Sequence, residues 1–274
     1  MKIVAALSCY NEALFLDYAI ASIYNYVDFV VLNDQAFKSV IDAGMSAHSQ
    51  DGTQNIIDKW VDNKKIFFVE HKTPPNTFGE LMNPCLEKGK ELGADYYMHV
   101  GGDEIWPEEC GKFLKPYLNI CEKKGILGLN LWMNIFAPDM WHCRDFRNPR
   151  IGKITKDCYV GRDGDALVWP DLNLYQIGGN CEELYPPGTP EHIKKVNGDF
   201  PKNLRPFHYS CVGNSRVEGK VAFWQKINGT HGDRYNKAYI DKDWKKFEEY
   251  GYKTFTGKHP PLMEKHPLFK ERLY

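Results

Sequence analysis

Short apolar runs alternate with amphipathic segments along the first half of this chain. Runs such as Ile3 to Ser8, apolar almost throughout, indicate strands that are buried on both faces. Apolar positions spaced by three and four residues, as at Leu14, Tyr18 and Ala21, indicate helices. The predicted strands are residues 3–8, 29–32, 65–70, 94–100 and 126–135. The predicted helices are residues 12–26, 53–61, one opened by the capping box Thr77-x-x-Glu80, and one from Pro107 to about Lys123.

This order of elements predicts an α/β fold with a mostly parallel sheet flanked by helices. Ligands of such sheets bind beyond the carboxyl ends of the strands. Polar segments stand at those positions in this sequence: Cys9-Tyr10-Asn11-Glu12, Asn33-Asp34 and Gly101-Gly102-Asp103-Glu104. Their convergence at one edge of the sheet predicts a ligand site there.

After about residue 137 the alternation of strands and helices ends, and Pro, Gly, Trp and Tyr become frequent. Loop-rich segments of this kind typically carry binding residues. We therefore divide the chain into residues 1–135, residues 136–240 of the same domain, and residues 241–274. The last part is predicted to form a helix at 241–250 and an extended tail, and residues 35–50 are predicted to form a loop.

Composition narrows the function classes. The chain has 274 residues, of which 43% are apolar and 26% charged, as in an ordinary globular protein. A formal net charge of -1 provides no general attraction to nucleic acid, so we expect no nucleic-acid partner. No apolar run approaches the roughly 20 residues of a membrane helix. The 8 cysteines include no Cys-x-x-Cys pair, so we expect free thiols in a cytoplasmic protein and no zinc site.

Five segments in chain order resemble motifs of the family 2 glycosyltransferases, which have the GT-A fold. They are Ile3 to Glu12 with its Tyr-Asn-Glu turn, Phe29 to Asp34, Ser49-Gln50-Asp51-Gly52-Thr53, Met82-Asn83, and His99 to Glu104. The last of these is similar to the metal-binding stretch Asp-x-Asp-Glu. The resemblance extends over about residues 1–135.

The resemblance implies a GT-A-type sheet with a loop-rich, acceptor-binding C-terminal half. It also implies a hexosyltransferase that moves a sugar from a nucleotide-diphosphate sugar, in the first place a UDP-sugar, to an acceptor hydroxyl. The reaction would invert the anomeric carbon with metal assistance. Residues 1–135 would bind the donor and residues 136–240 would build the acceptor and catalytic site. The acceptor is left open between a saccharide, a lipid-linked molecule and a protein, and with it a peripheral position at a membrane.

The resemblance also implies roles for individual residues. Those expected to bind the nucleotide are Ser8, Tyr10, Glu12, Asp34, Asp51 and Gly102. Asp103 and His208 are the expected ligands of Mn²⁺ or Mg²⁺, since such cations favour oxygen ligands. Gly101 departs from the family, because it stands where the first aspartate of the metal-binding stretch is expected. A second departure is the stretch of about fourteen residues between Asp34 and Ser49, which are usually nearly adjacent.

Three residues of the second half are assigned by the same resemblance. Arg147 and Arg150 are similar to the family's arginine-rich strand and would hold the diphosphate bidentately. Glu182, in Asn180-Cys181-Glu182-Glu183-Leu184, is similar to the glutamate of a His-Glu-x-Leu motif, with Cys181 in place of histidine. It would be the catalytic base that removes the acceptor proton, a role worth about 10²–10⁴-fold in rate.

Each assignment has a structural alternative. Asp103 could cap the helix that begins near Pro107, Asp34 and Asp51 could be turn residues, and Glu12 could be a first-turn helix charge. Two rival functions also remain. A sugar nucleotidyltransferase needs a glycine-rich, basic phosphate loop after the first strand, and this chain has neither feature there. A non-catalytic nucleotide-sugar or carbohydrate-binding protein would show a decayed metal site, as Gly101 suggests.

Overall fold

A computed structural model describes residues 1–62, 64–161, 166–172, 174–175, 197–213, 216 and 243–270. The strands are β1 (Ile3–Ser8), β2 (Phe29–Asn33), β3 (Ile66–Phe68), β4 (Tyr96–Gly101), β5 (Glu104–Ile105), β6 (Gly128–Phe136), β7 (His142–Lys153), β8 (Tyr159–Val160), β9 (Leu167–Trp169), β10 (Leu174–Tyr175), β11 (Asn197–Asp199), β12 (Phe207–His208) and β13 (Lys253–Thr254). The helices are α1 (Leu16–Ile23), α2 (Lys38–Asp42), α3 (Thr53–Trp60), α4 (Phe78–Glu91), α5 (Glu108–Lys123) and α6 (Trp244–Glu249).

The main sheet has the strand order β3-β2-β1-β4-β7-β6-β12-β5, with β11 beside β6 and β13 beside β7. β1 runs parallel to both β2 and β4, and β2 runs parallel to β3. β7 is antiparallel to its neighbours β4 and β6. The prediction of an α/β fold with a mostly parallel sheet flanked by helices is therefore confirmed.

Helices cover both faces of the sheet because the side chains of β1 alternate between them. Ile3, Ala5 and Leu7 pack in one buried cluster with apolar residues of α1, α3 and α5. Val4 and Ala6 pack on the opposite face with apolar residues of α4. A strand buried on both faces must be apolar at every position, which is the pattern that predicted β1.

Residues that typically mark the start of a helix stand at the starts of α4, α5 and α6. The Thr77 side chain accepts a hydrogen bond from the Glu80 amide at 3.1 Å, while the Glu80 carboxylate accepts from the Asn76 amide at 2.7 Å. Pro107 directly precedes α5, and the Asp243 side chain caps α6 by accepting from the Lys245 amide at 3.1 Å. Helices were thus predicted correctly wherever a cap and an apolar face occur together.

Three element predictions were wrong, and one long strand was not predicted. Residues 35–50 contain α2, whose single buried side chain, Val40, gives too short a pattern to read. The region after residue 137 contains β7, a strand of 12 residues. The C-terminal tail contains two short 3-10 helices at Pro261–Lys265 and Pro267–Lys270 rather than extended chain alone. The first helix is shorter than predicted, Leu16–Ile23, because residues 11–15 form turns.

β7 could not be predicted from the pattern of apolar and polar residues, and the reason is physical. Only its last residues, Ile151 to Lys153, pair with β4. The earlier part pairs with β6 and extends beyond β4, so it carries charged residues such as Arg144 and Asp145. A strand that is half buried and half exposed shows neither a continuous apolar run nor a clean alternation.

The C-terminal segment packs into a cluster of aromatic rings, and His259 lies at its centre. The Tyr209 hydroxyl lies 2.8 Å from His259 Nδ1, and the rings of Phe136 and Phe255 lie against the imidazole. Burial lowers the pKa of His259 from 6.5 to about 4. The neutral imidazole is therefore the form that the folded protein holds at neutral pH.

We expect this histidine to make the fold acid-sensitive. Between pH 6.5 and pH 4, His259 is protonated in the unfolded chain but neutral in the folded protein. The free energy of unfolding therefore falls as the pH drops from about 6.5 to about 4. At about 1.4 kcal/mol per pKa unit, the loss reaches about 3 kcal/mol at pH 4. Urea unfolding of the wild type and His259→Gln at pH 7 and pH 4.5 measures it. The variant should lose less stability between the two pH values, and parallel losses would contradict the assignment.

Candidate functional site

The carboxyl ends of β1 and β4 lie side by side at the point where the strand order of the sheet reverses. From β1 the chain adds β2 and β3 on one side, and then places β4 on the other side of β1. Such a switch point leaves a crevice outside the strand ends, where ligands bind in open parallel sheets. Ser8 ends β1, and Gly101 and Gly102 follow at the end of β4, so the predicted site segments do meet at this point.

Gly102 allows the two strand ends to approach closely. Its amide donates a hydrogen bond to the Ser8 carbonyl at 3.1 Å. A Cβ atom at position 102 would lie 2.9 Å from that carbonyl oxygen and 2.9 Å from Cγ of Glu12. Two of the residues expected at the nucleotide, Ser8 and Gly102, are therefore neighbours, and the absence of a side chain at position 102 keeps them so.

Asp34, at the end of β2, is buried and holds the following loop. Its carboxylate accepts hydrogen bonds from the Ser49 amide at 3.1 Å and from the Ser49 hydroxyl at 2.5 Å. Burial raises the pKa of Asp34, and the two bonds from Ser49 oppose that rise. The long stretch between Asp34 and Ser49 therefore does not separate them in space, because the chain returns to the same strand end.

Asp51 acts as a structural clamp. Its carboxylate accepts from the Thr53 amide at 3.1 Å and the Thr53 hydroxyl at 2.6 Å, at the start of α3. It also accepts from the Ala13 amide at 3.0 Å. Tyr10 is held nearby through its hydroxyl, which donates to the Ser46 carbonyl at 2.9 Å. The segment after β1 and the segment before α3 therefore form one connected wall of the crevice.

The centre of the site is a guanidinium group between two acids. Arg216 donates from Nη2 to Oδ2 of Asp103 at 2.5 Å, and the same nitrogen lies 2.6 Å from Oε2 of Glu12. All three side chains are buried, with 8% of the Arg216 side chain exposed. Burial disfavours the charged guanidinium, but Glu12 and then Asp103 outweigh it and raise the pKa of Arg216. The arginine is therefore a fixed cation.

A second buried ion pair adjoins the first. Arg150, on β7, donates from Nη2 to Oε1 of Glu104 at 2.6 Å, and its Nη1 lies 3.2 Å from Nδ1 of His99. His208, on β12, joins the two pairs. Its Nε2 lies 3.1 Å from Oδ1 of Asp103, and its Nδ1 lies 3.9 Å from Oε1 of Glu104. Clusters of buried, mutually paired titratable groups are typical of functional sites.

The predicted residues thus fall into four groups. Ser8, Glu12, Gly102, Asp103, Arg150 and His208 come together, and Asp34, Asp51 and Tyr10 lie in the adjoining loops. Arg147 lies elsewhere on β7 and pairs with Asp199, its Nη2 at 2.6 Å from Oδ1. Glu182 lies outside the described residues.

The structure excludes the capping role of Asp103 and adds one residue that the sequence did not indicate. Asp103 does not cap α5, because Pro107 precedes that helix and no side chain caps it. Arg216 was missed altogether. It is a lone arginine in Asn214-Ser215-Arg216-Val217, and no motif or spacing around it indicates that it reaches Asp103, more than a hundred residues earlier.

The fit of the cluster to Mn²⁺ or Mg²⁺ can be tested on its donor atoms. Asp103 and His208 are adjacent, as a metal site requires. In the part of the chain that the structure describes, however, no three His, Cys, Asp or Glu side chains are grouped as metal ligands. Oxygens of Asp103 and Glu12 face the guanidinium of Arg216 instead. This donor set does not fit a divalent cation, which favours six or more oxygen ligands.

The structure also contains a cavity of about 460 Å³. It is lined by His48, Gln54, Ile57, Asp58, Val61, Phe68 and Glu70. His48 connects it to the strand ends, because its Nδ1 lies 2.8 Å from the Asp34 carbonyl oxygen. The cavity therefore adjoins the segment that follows β2 at Asp34, and its walls are both apolar and polar.

Comparisons with known proteins give distant likenesses only. No family model and no curated protein matches the chain. A structure of residues 1–349 of S. aureus TarS is 12% identical with a TM-score of 0.45, over 89% of this chain and 72% of that one. A structure described as mannose-1-phosphate geranyltransferase of Thermus thermophilus is 10% identical with a TM-score of 0.35, over 88% of this chain and 65% of that one. UDP-glucose pyrophosphorylase complexed with UDP-glucose is 12% identical with a TM-score of 0.34, over 85% and 100% of the two chains.

These likenesses are too distant to carry an argument about function, which rests on the side chains at the strand ends. The seven cysteines within the described residues are free thiols, as expected. No helix in the described part of the chain is both long and apolar enough to cross a membrane.

Proposed function

We propose that this protein is a glycosyltransferase that moves a sugar from a nucleotide-diphosphate sugar, in the first place a UDP-sugar, to an acceptor hydroxyl. One observation carries the proposal. A buried cluster of acids and fixed cations, Glu12, Asp103 and Arg216 among them, lies at the switch point of a parallel sheet. Buried charge at such a crevice is costly to maintain, and binding of a charged ligand explains why it is kept.

The crevice suggests how the donor lies. The cavity beside Asp34 has apolar side chains, Ile57, Val61 and Phe68, that suit the flat face of a nucleobase, and polar groups at His48 and Gln54. Asp34 and Tyr10 then lie beside the ribose. This direction brings the diphosphate to the strand end at Gly102 and to the cations next to Asp103.

The reaction makes two electrostatic demands. The bond between the anomeric carbon and the diphosphate oxygen breaks, and its electron pair leaves on that oxygen, so fixed cations must stabilise the new charge. The acceptor oxygen forms a bond to the same carbon and loses its proton to a base. Glu182 remains our candidate for that base. Attack from the opposite face of the sugar would give inversion.

A nucleotide-sugar-binding protein without transferase activity is the second candidate. One observation favours it: Gly101 stands in place of an acid, and the remaining acids of the cluster are already paired. The two candidates share the donor site and differ in turnover. Measuring both binding and product release therefore separates them.

Thermal unfolding in the presence of nucleotides tests the proposal. We expect one of UDP, GDP, ADP or dTDP, or its sugar conjugate, to raise the melting temperature of the wild type. A ligand at about 100 times its Kd adds about 2.7 kcal/mol of stability. Asp103→Asn should abolish the shift, because it releases Arg216 and His208, whereas Asp157→Asn, at an exposed carboxylate, should keep it.

The outcomes divide cleanly. A shift with release of the nucleoside diphosphate from its sugar conjugate supports the transferase. A shift without release for a panel of saccharide, lipid-linked and peptide acceptors would support the binding protein. No shift with any nucleotide would refute both.

A further inference from the structure

Position 101 is closed to a second acid in this protein. A Cβ atom on Gly101 would lie 2.9 Å from Oδ1 of Asp103 and 3.2 Å from Cγ of Glu104. Neither of those side chains is free to move aside, because Asp103 is paired with Arg216 and Glu104 with Arg150. The acid expected at this position has therefore not merely been lost. The space for it has been taken by the two pairs.

Arg216 stands where a divalent cation would be expected to act. A metal ion would be held by oxygens of neighbouring acids. Here one nitrogen of Arg216 contacts Oδ2 of Asp103 and Oε2 of Glu12, at 2.5 Å and 2.6 Å. Nε of Arg216 donates to the Ser210 carbonyl at 3.3 Å, and the guanidinium lies 5.1 Å from the centre of the Phe15 ring. These four contacts hold the group in place.

The guanidinium keeps donors for a ligand. Its Nε and Nη2 groups are used, but Nη1 has no hydrogen-bond partner among the described residues. Arginine presents its N–H groups in a planar fork that matches the oxygens of a phosphate. A fork that is held by two acids at Nη2 and has no hydrogen-bond partner at Nη1 among the described residues can donate to an anion.

We infer that Arg216 is the diphosphate-binding cation of this site and that it replaces a divalent metal ion. The inference rests on the proposed function, since it names the group that receives the donor's diphosphate. Arg216 donates hydrogen bonds to the diphosphate and remains charged throughout, so no proton leaves it. Glu12 and Asp103, which would hold a metal, hold the arginine instead.

Isothermal titration of UDP, GDP, ADP and dTDP, each into wild-type protein in EDTA and again in Mn²⁺ or Mg²⁺, tests this inference. We expect one nucleotide to bind with the same Kd, within about twofold, in all three buffers. Arg216→Gln should weaken that binding roughly 10–100-fold, the loss expected for hydrogen bonds to a charged group. Arg216→Lys keeps the charge without the fork, and should recover part of the affinity.

Arg205→Gln is the matched control, because Arg205 also pairs with an acid, Asp145, with 2.5 Å between Nη1 and Oδ1. It should leave nucleotide binding unchanged. Binding in Mn²⁺ or Mg²⁺ but not in EDTA would overturn the inference and leave the proposed function standing. Binding by no nucleotide in any buffer would overturn both. Because the decisive comparison uses the wild type, it holds even if an Arg216 variant fails to fold.

Discussion

Replacing Arg150 by methionine is expected to lower the free energy of unfolding by about 3–5 kcal/mol, the range for a broken buried ion pair. Only 4% of the Arg150 side chain and 1% of the Glu104 side chain are exposed, and Nη2 lies 2.6 Å from Oε1. The methionine fills similar space but leaves the Glu104 carboxylate buried without its cation. Urea unfolding at pH 7 measures the loss.

The double variant Arg150→Met, Glu104→Gln is the informative control. It removes both charges together, and replacing a whole buried pair is often close to neutral. We therefore expect it to recover most of the lost stability. Lys38→Met, which breaks an exposed pair with Asp42, should cost less than about 1 kcal/mol.

The same experiment separates two roles for Arg150. The family resemblance suggests a diphosphate contact, which would make Arg150→Met weaken nucleotide binding with little loss of stability. The ion pair with Glu104 predicts the reverse order, a large loss of stability in the absence of any ligand. A loss below about 1 kcal/mol would contradict the buried pair and favour the diphosphate contact.

The sheet could be predicted from the sequence because its central strands are buried on both faces. Continuous apolar runs at Ile3 to Leu7 and Phe29 to Leu32 have the length of strands, and the polar residues after them show where each strand ends. The polar residues that follow were therefore placed correctly at one edge of the sheet.

The contacts of the site could be predicted less well, because they join residues that are far apart in the chain. Arg216 pairs with Glu12 and Asp103 across roughly two hundred and one hundred residues, and pairing at that range has no local signature. Asp51 illustrates a different limit. Its place in Asp51-Gly52-Thr53 suits both a ligand contact and a helix-start clamp, and only its three bonds to Thr53 and Ala13 show the clamp.

Gly101 shows that a departure from a motif carries information that the motif does not. From the sequence, a glycine in place of an acid left the need for a metal ion open. In the structure the glycine is a packing requirement, since Asp103 and Glu104 lie within 2.9 Å and 3.2 Å of its absent Cβ. The neighbouring ion pairs and the glycine therefore depend on each other.

Gly101→Asp, which restores the acid of the family motif, is accordingly expected to damage the protein. Its Cβ must displace the Asp103 carboxylate that Arg216 and His208 hold, and overpacking of this kind costs about 1–3 kcal/mol. The new carboxylate also adds like charge beside Asp103, which disfavours ionisation of both. Urea unfolding at pH 7 should show the loss, and titration with the nucleotide that binds the wild type should show weaker binding in EDTA.

Gly101→Asn is the matched control, because it has the size of aspartate without its charge. Both variants should lose stability through crowding, and the additional loss in Gly101→Asp measures the repulsion from Asp103. The decisive readout is the response to metal. If Mn²⁺ restores or improves nucleotide binding in Gly101→Asp but not in Gly101→Asn, the site is a metal centre that lacks one ligand. If Mn²⁺ changes neither variant, the pairs of Arg216 have closed the site to metal, because a carboxylate in the expected position cannot reopen it.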